Sequence, residues 1–213
     1  MFCLVLLHII SKKKKELVIL NLTKELILAE GGERICYLDP SDGSKIIKIE
    51  KVSETSNQQN ELEYKYYKHL EKKGIDFTHI AKCYGWIETN QGKGLSFERI
   101  VDYNGGNSKH FREYLRNNLL TQETEEKLLF ELENYLITNE VVFIDVSTVN
   151  LFCQQTTPNS YRLVIFDGLG GRRYGFKFLL YMFSKKFTRY KVKKQWKIFC
   201  NNYNRDKQIG KGR

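Results

Sequence analysis

The stretch whose reading decides the fold is "FIDVSTVNLFCQQTTPNSYRLVIFDGLGG", residues 143–171. Its apolar runs read as two short strands around the turn "TTPNS" at 156–160, a hairpin signal. Its only acids, Asp145 and Asp167, fall at the ends of those runs, and Asn150 lies five positions after the first. Carboxylates and an amide at strand ends, rather than alternating along a solvent face, suggest side chains placed for chemistry.

Upstream, "ELVILNL" (16–22) and "ELILAEGGERICYLDP" (25–40) read as β-rich runs, the second interrupted by Gly31-Gly32. "SDGSKIIKIEK" (41–51) reads as an Asp42-Gly43 turn and a further strand. In residues 57–73 the apolar and aromatic positions 62, 66, 67 and 70 have helical spacing, and Gly74 ends the pattern. Residues 79–89 and 94–101 form strands across a "NQGKG" turn. After "DYNGGNS" the pattern turns helical at 109–119 and 121–139, with Thr121 as N-cap. Downstream of the opening stretch, residues 175–203 are basic, with aromatics at helical spacing that include Phe178, Tyr181, Trp196 and Phe199. Strands with one helix, a glycine-bearing link and then helices around a hairpin imply an α+β fold in two lobes. The β-rich lobe covers 16–102, the helical lobe 103–213, and the cleft is expected near 100–107.

Composition narrows the class. With 41% apolar residues the chain can build a core, and 28% charged with only two prolines argues against disorder. The five cysteines are odd in number, show no C-x-x-C spacing and read as reduced thiols of a cytosolic protein. The four histidines make no ligand pair, so no structural metal is expected. Residues 172–213 carry fourteen Lys/Arg against the single acid Asp206, which leaves the rest slightly acidic. The opening "MFCLVLLHII" precedes its lysines, the reverse of a secretory signal, and ten residues are too short to span a bilayer. Residues 1–15 therefore read as an extension outside the fold, and no transmembrane segment is expected.

Gly31 and Gly32, Lys48, Glu63, Asp145, Asn150 and Asp167 each have an ordinary alternative as turn, solvated face or cap. Together, and in this order, they match what phosphoryl transfer requires. Backbone N–H groups of a glycine turn approach phosphates closely because no Cβ intervenes. A lysine held by a helical acid supplies charge to the phosphates. An Asp and an Asn offer hard oxygens to a metal, and a further Asp accepts the hydrogen bond of an attacking hydroxyl. Protein kinases carry these parts in the same chain order.

From about residue 25 to 203 the chain resembles the PhoP regulatory network YrbL family, small proteins of protein-kinase-like fold. The resemblance lies in "EGGERICYLDPSD" with "IIKI", "ELEYKYYKHL", "YGWIETNQGKG" with "DYNG", the loop "DVSTVNLFC" and "QWKIF". It implies phosphate binding by Lys48 with Glu63 as ion-pair partner, Asp145 as catalytic-loop acid, and Asn150 and Asp167 as metal ligands. The expected cofactors are ATP and Mg2+ or Mn2+. Departures are plain. There is one Gly-Gly instead of the full glycine-rich loop, Phe143-Ile144 precede Asp145, Gly168 follows Asp167, and only 46 residues remain after Asp167. That brevity points away from protein substrates and toward a non-protein acceptor, and the basic segment beside the cleft toward an anionic one.

The basic segment suggests an acidic surface or anionic glycolipid as partner, in a cytoplasmic protein or one peripheral at the inner membrane. The plainer reading makes it a helical cap with buried aromatics. Nucleic acid is not expected, because no helix-turn-helix, RNA-binding aromatic motif or zinc spacing is present. The alternative function is a nucleotide- or partner-binding pseudokinase that regulates within the PhoP network.

Overall fold

The structure of the chain, a computed structural model, describes residues 19–51 and 58–212. The extension 1–15 and residues 16–18 of the first expected strand lie outside the described residues. Five strands, β1 (Ile27–Glu30), β2 (Arg34–Leu38), β3 (Lys45–Glu50), β4 (Cys83–Thr89) and β5 (Gly92–Glu98), form an antiparallel sheet ordered β1-β2-β3-β5-β4. The expected strand at 16–22 does not appear in 19–22. Leu20 makes one isolated bridge to Thr89, and the Leu22 N–H is taken by the Asn90 side chain at 2.8 Å instead of by a ladder.

β3 is covered on both faces. Ile47 and Ile49 pack with Leu20, Leu22 and Tyr37, whereas Lys48 points the other way, toward the Phe97 ring 4.3 Å from its Nζ. Helix α1 (Gln59–Lys72) lies on that second face and buries Leu62, Tyr66, Tyr67 and Leu70 completely. Each such side chain contributes up to about 1.5–3 kcal/mol. The β4–β5 turn is tighter than the expected 90–94: Thr89 pairs with Gly92, so only Asn90 and Gln91 turn.

Beyond the link, β6 (Lys109–His110), β7 (Leu151–Thr157) and β8 (Ser160–Ile165) make a small sheet ordered β6-β7-β8. Around it lie α2 (Phe111–Arg116), α3 (Gln122–Thr138), α4 (Phe176–Phe183) and α5 (Lys185–Lys211). Thr121 caps α3 by accepting from the Thr124 N–H at 3.2 Å. One apolar cluster runs from the α1 residues through Leu132 and Val142 to Phe178 and Phe199, so sheet and helices share a core.

The basic segment folds as α4 and the long helix α5. Part of its apolar set is core: Phe178, Tyr181 and Phe199 are buried, and Met182 and Trp196 pack against the same cluster, whereas Tyr174, Phe176, Phe183 and Tyr190 are exposed. α5 passes so close to α2 that a Cβ on Gly210 would stand 2.5 Å from the Leu115 carbonyl oxygen, which explains a glycine inside that helix.

Candidate functional site

A cleft of about 810 Å3 opens where the β1–β2 turn faces the stretch 143–171. Gly31, Gly32, Lys48, Glu63, Asp145, Asn150 and Asp167 all line it. The link at 100–107, where the sequence pattern puts the cleft, does not. Its backbone is occupied with β7, as in the bond from the Tyr103 N–H to the Gln155 oxygen at 2.8 Å.

The alternation of β3 turns Lys48 inward, leaving it 2% exposed. Its ammonium donates to the Phe166 carbonyl oxygen at 2.8 Å and to Glu63 Oε1 at 3.3 Å, and stands 3.9 Å from Asp167 Oδ1. Glu63 comes from the second turn of α1. That helix is tied to β3 by Asn60, whose Nδ2 donates to the Lys48 carbonyl oxygen at 2.9 Å.

A residue that sequence reasoning missed completes the cluster. Arg34 opens β2, and its Nη1 donates to Glu63 Oε2 and to Asn60 Oδ1, while Nη2 donates to Asp167 Oδ1 at 2.6 Å. Burial works against the charge of Arg34, but Glu63 and Asp167 outweigh it and raise the pKa. Asp167 is the mirror case. Burial pushes its carboxyl up, yet Lys48, Arg34 and the Gly168 N–H hold it down at about 2. The Cys36 thiol, directly across from Lys48 in the β2–β3 register, is pushed up by burial despite both cations and stays protonated at neutral pH.

On the opposite wall, Asp145 is half exposed and paired with Arg172 at 2.9 Å. The Asn150 Nδ2 donates to the Asp145 carbonyl oxygen at 2.9 Å, which holds the loop in a tight turn, and Asn150 itself lines the cleft. Gly168 sits at φ +83, and a Cβ there would lie 2.8 Å from the Asp145 Cβ. No side chain fits at this position, and the Gly168 carbonyl accepts from the Ile144 and Asp145 N–H groups at 2.8 and 3.1 Å.

Three side chains of α5 hold this loop from behind. Gln195 Nε2 donates to the Ile144 oxygen at 2.6 Å, and Asn202 Nδ2 donates to the Val146 oxygen at 2.8 Å. Asp206, fully buried, accepts from Thr148 Oγ1, Arg112 Nε and Arg116 Nη2. Steps of seven and four put all three on one helix face. The sequence offered two signals for what was missed: an arginine two residues past Gly32, and Arg172-Arg173 following Asp167-Gly168.

The chain is 27% identical over 154 residues to a protein of Escherichia coli (strain K12) named Uncharacterized protein YrbL, covering 71% of this chain and 73% of that relative. The Shigella flexneri protein of the same name matches equally. The family model described as PhoP regulatory network protein YrbL matches residues 20–204, which include every cleft residue named above and the α5 side chains up to Asn202. The chain therefore belongs to the PhoP regulatory network protein YrbL family.

Proposed function

We propose that the cleft binds ATP and transfers its terminal phosphoryl group to a hydroxyl of a non-protein, anionic acceptor. The fold in this reading is a two-lobed protein-kinase-like one, divided near residues 102–103. The observation that carries it is the buried Lys48 between Glu63 and Asp167, facing a glycine turn and the Asp145–Asn150 loop across one open cleft. At Gly32 the space that a Cβ would take has no neighbour within 4 Å, so the backbone there is open to a phosphate.

The chemistry follows from these positions. Lys48 neutralises phosphate oxygens, with Glu63 fixing its ammonium. The acceptor hydroxyl donates to Asp145, its oxygen attacks the γ-phosphorus, and the bond from that phosphorus to the β–γ bridging oxygen breaks. The proton goes to Asp145, and ADP leaves with the bond's electron pair. Asp167 and the Asn150 amide oxygen are hard donors that fit one Mg2+ arriving with the nucleotide. Among the described residues no group of three or more His, Cys, Asp or Glu could hold a metal ion by itself. When bound, the ion supplies charge neutralisation of the polyphosphate.

The rim favours an anionic acceptor. Arg172 and Arg173 line the cleft, and Lys191 lies close to Lys177, Lys194 and Arg172. Burial and those like charges depress the Lys191 pKa, and an acidic surface or anionic glycolipid would relieve the crowding. Among the described residues no helix is long and apolar enough to cross a membrane.

Thermal unfolding with and without ATP and Mg2+, beside Asp167→Asn and Asp145→Asn, tests this reading. Saturating nucleotide should raise Tm of the wild type by roughly 5–10 °C at about 100 times its Kd. Asp167→Asn should lose the part of the shift that depends on Mg2+. Asp145→Asn should keep the shift and lose slow ATP hydrolysis. No shift in the wild type rejects the nucleotide site. A second reading, a nucleotide-binding regulator without turnover, is favoured by the arginine already paired with each of Asp145 and Asp167. A shift with no hydrolysis in any form supports it.

A further inference from the structure

Arg34 stands where the sequence set contains no residue. Its side chain is 11% exposed and lines the same cleft as Lys48 and Asp167. The strand register explains the position. Cys36 pairs with Lys48, so Arg34, two residues earlier on β2, lies diagonally beside Lys48 on the same face.

The charges around it close. Without Arg34, Lys48 would face the two carboxylates of Glu63 and Asp167 alone, leaving one uncompensated negative charge beside the glycine turn. With Arg34 the four groups are neutral, and Arg172 matches Asp145 on the other wall. A neutral cluster places no electrostatic demand for a second divalent ion between these walls. Asp167 Oδ1 is also taken twice, by Arg34 Nη2 at 2.6 Å and by the Gly168 N–H at 2.8 Å.

The guanidinium keeps capacity to bind. Its Nη1 protons go to Glu63 and Asn60, and one Nη2 proton goes to Asp167. The Nε–H and the second Nη2–H have no acceptor among the described residues, a planar pair suited to phosphate oxygens.

We propose that Arg34 is the fixed cation of the polyphosphate site, holding phosphate oxygens from its place between Glu63 and Asp167, so that the cleft binds a nucleoside triphosphate even without a divalent metal. This rests on the nucleotide reading above and adds a residue and a metal requirement to it. Binding then has two separable parts: a metal-independent part owned by Arg34 and Lys48, and a metal-dependent part owned by Asn150 and Asp167.

Calorimetric titration of the full chain with ATP, once with Mg2+ and once with EDTA, separates the two parts. Inorganic tripolyphosphate in EDTA serves as a probe without the nucleoside. The wild type should bind ATP in both buffers, with affinities within about tenfold of each other. It should also bind tripolyphosphate in EDTA. Arg34→Gln should lose about tenfold or more in EDTA, the worth of hydrogen bonds to a charged group, and retain binding with Mg2+. Should that variant fail to fold, Arg34→Lys keeps the charge without the fork and should lose a similar factor in EDTA. Wild-type binding only with Mg2+ overturns the Arg34 proposal and leaves the nucleotide site standing. Equal EDTA binding by wild type and the folded variant overturns it too. No binding of any kind overturns both.

Discussion

At the scale of single residues, the proposed chemistry depends on charges kept ionised by neighbours. Asp167 shows the consequence for pH. Its carboxyl is held at about 2 against a usual 3.8, because Lys48, Arg34 and the Gly168 N–H together outweigh burial. A carboxyl held down in the folded state stabilises it fully above its unfolded pKa, and the contribution is lost as pH falls through the folded value. The stability difference between wild type and Asp167→Asn should thus be flat from pH 7 to about 5 and shrink between about 4 and 2. Urea unfolding at stepped pH measures it, and a difference that changes between pH 7 and 5 would disprove the assignment. The same cluster shows what a sequence can and cannot tell. Lys48, Asp145, Asn150 and Asp167 were legible because each sits at a recognisable place in its own segment. Arg34 was not, because its face is set by a register with β3 that only the folded sheet defines.

At the scale of elements, α5 is the support of the loop that carries Asp145. Gln195, Asn202 and Asp206 contact Ile144, Val146 and Thr148 in order, one helix face against one stretch of backbone. Read as sequence, those three polar residues look like solvated members of a basic tail, and only the aromatic positions announced a buried side. Asp206 is fully buried and faces two arginines that keep part of their surface in water. Its replacement by Asn leaves those arginines without a counter-charge. The expected loss is about 3 kcal/mol, the lower end for a broken buried ion pair. It should appear as a lower denaturant midpoint at unchanged slope. A variant as stable as the wild type would show that Thr148 and the arginines are held by other means.

At the scale of the whole molecule, charge is partitioned: residues 172–213 are strongly basic and the remainder slightly acidic. Lysines 177, 191 and 194 gather near Arg172, which itself reaches Asp145. If this surface meets an acidic membrane, each lysine near the leaflet contributes about 1 kcal/mol, close to a fivefold change in partition. Lys191→Glu with Lys194→Glu should therefore lower binding to phosphatidylglycerol vesicles by about 25-fold or more, and raised salt should abolish wild-type binding. Binding that ignores both charge reversal and salt would remove the surface from consideration. The two-part order of sheet and helices was legible here, because hydrophobic periodicity changes from two to 3.6 across the link. The place of the cleft was not, because it depends on how the β1–β2 turn folds over a hairpin more than a hundred residues away.

The stripe on α5 also orders events in time. During synthesis the loop at 144–148 leaves the ribosome roughly fifty residues before the side chains that hold it. Domains form from the N-terminal end as the chain emerges. The strands with Arg34 and Lys48 and the helix with Glu63 therefore leave the ribosome while Asp145 still lacks its backing. A nascent chain in that interval holds the Lys48–Glu63–Arg34 cluster without a fixed Asp145 loop, so under the proposed phosphotransfer reading the molecule becomes competent for chemistry only after α5 has docked.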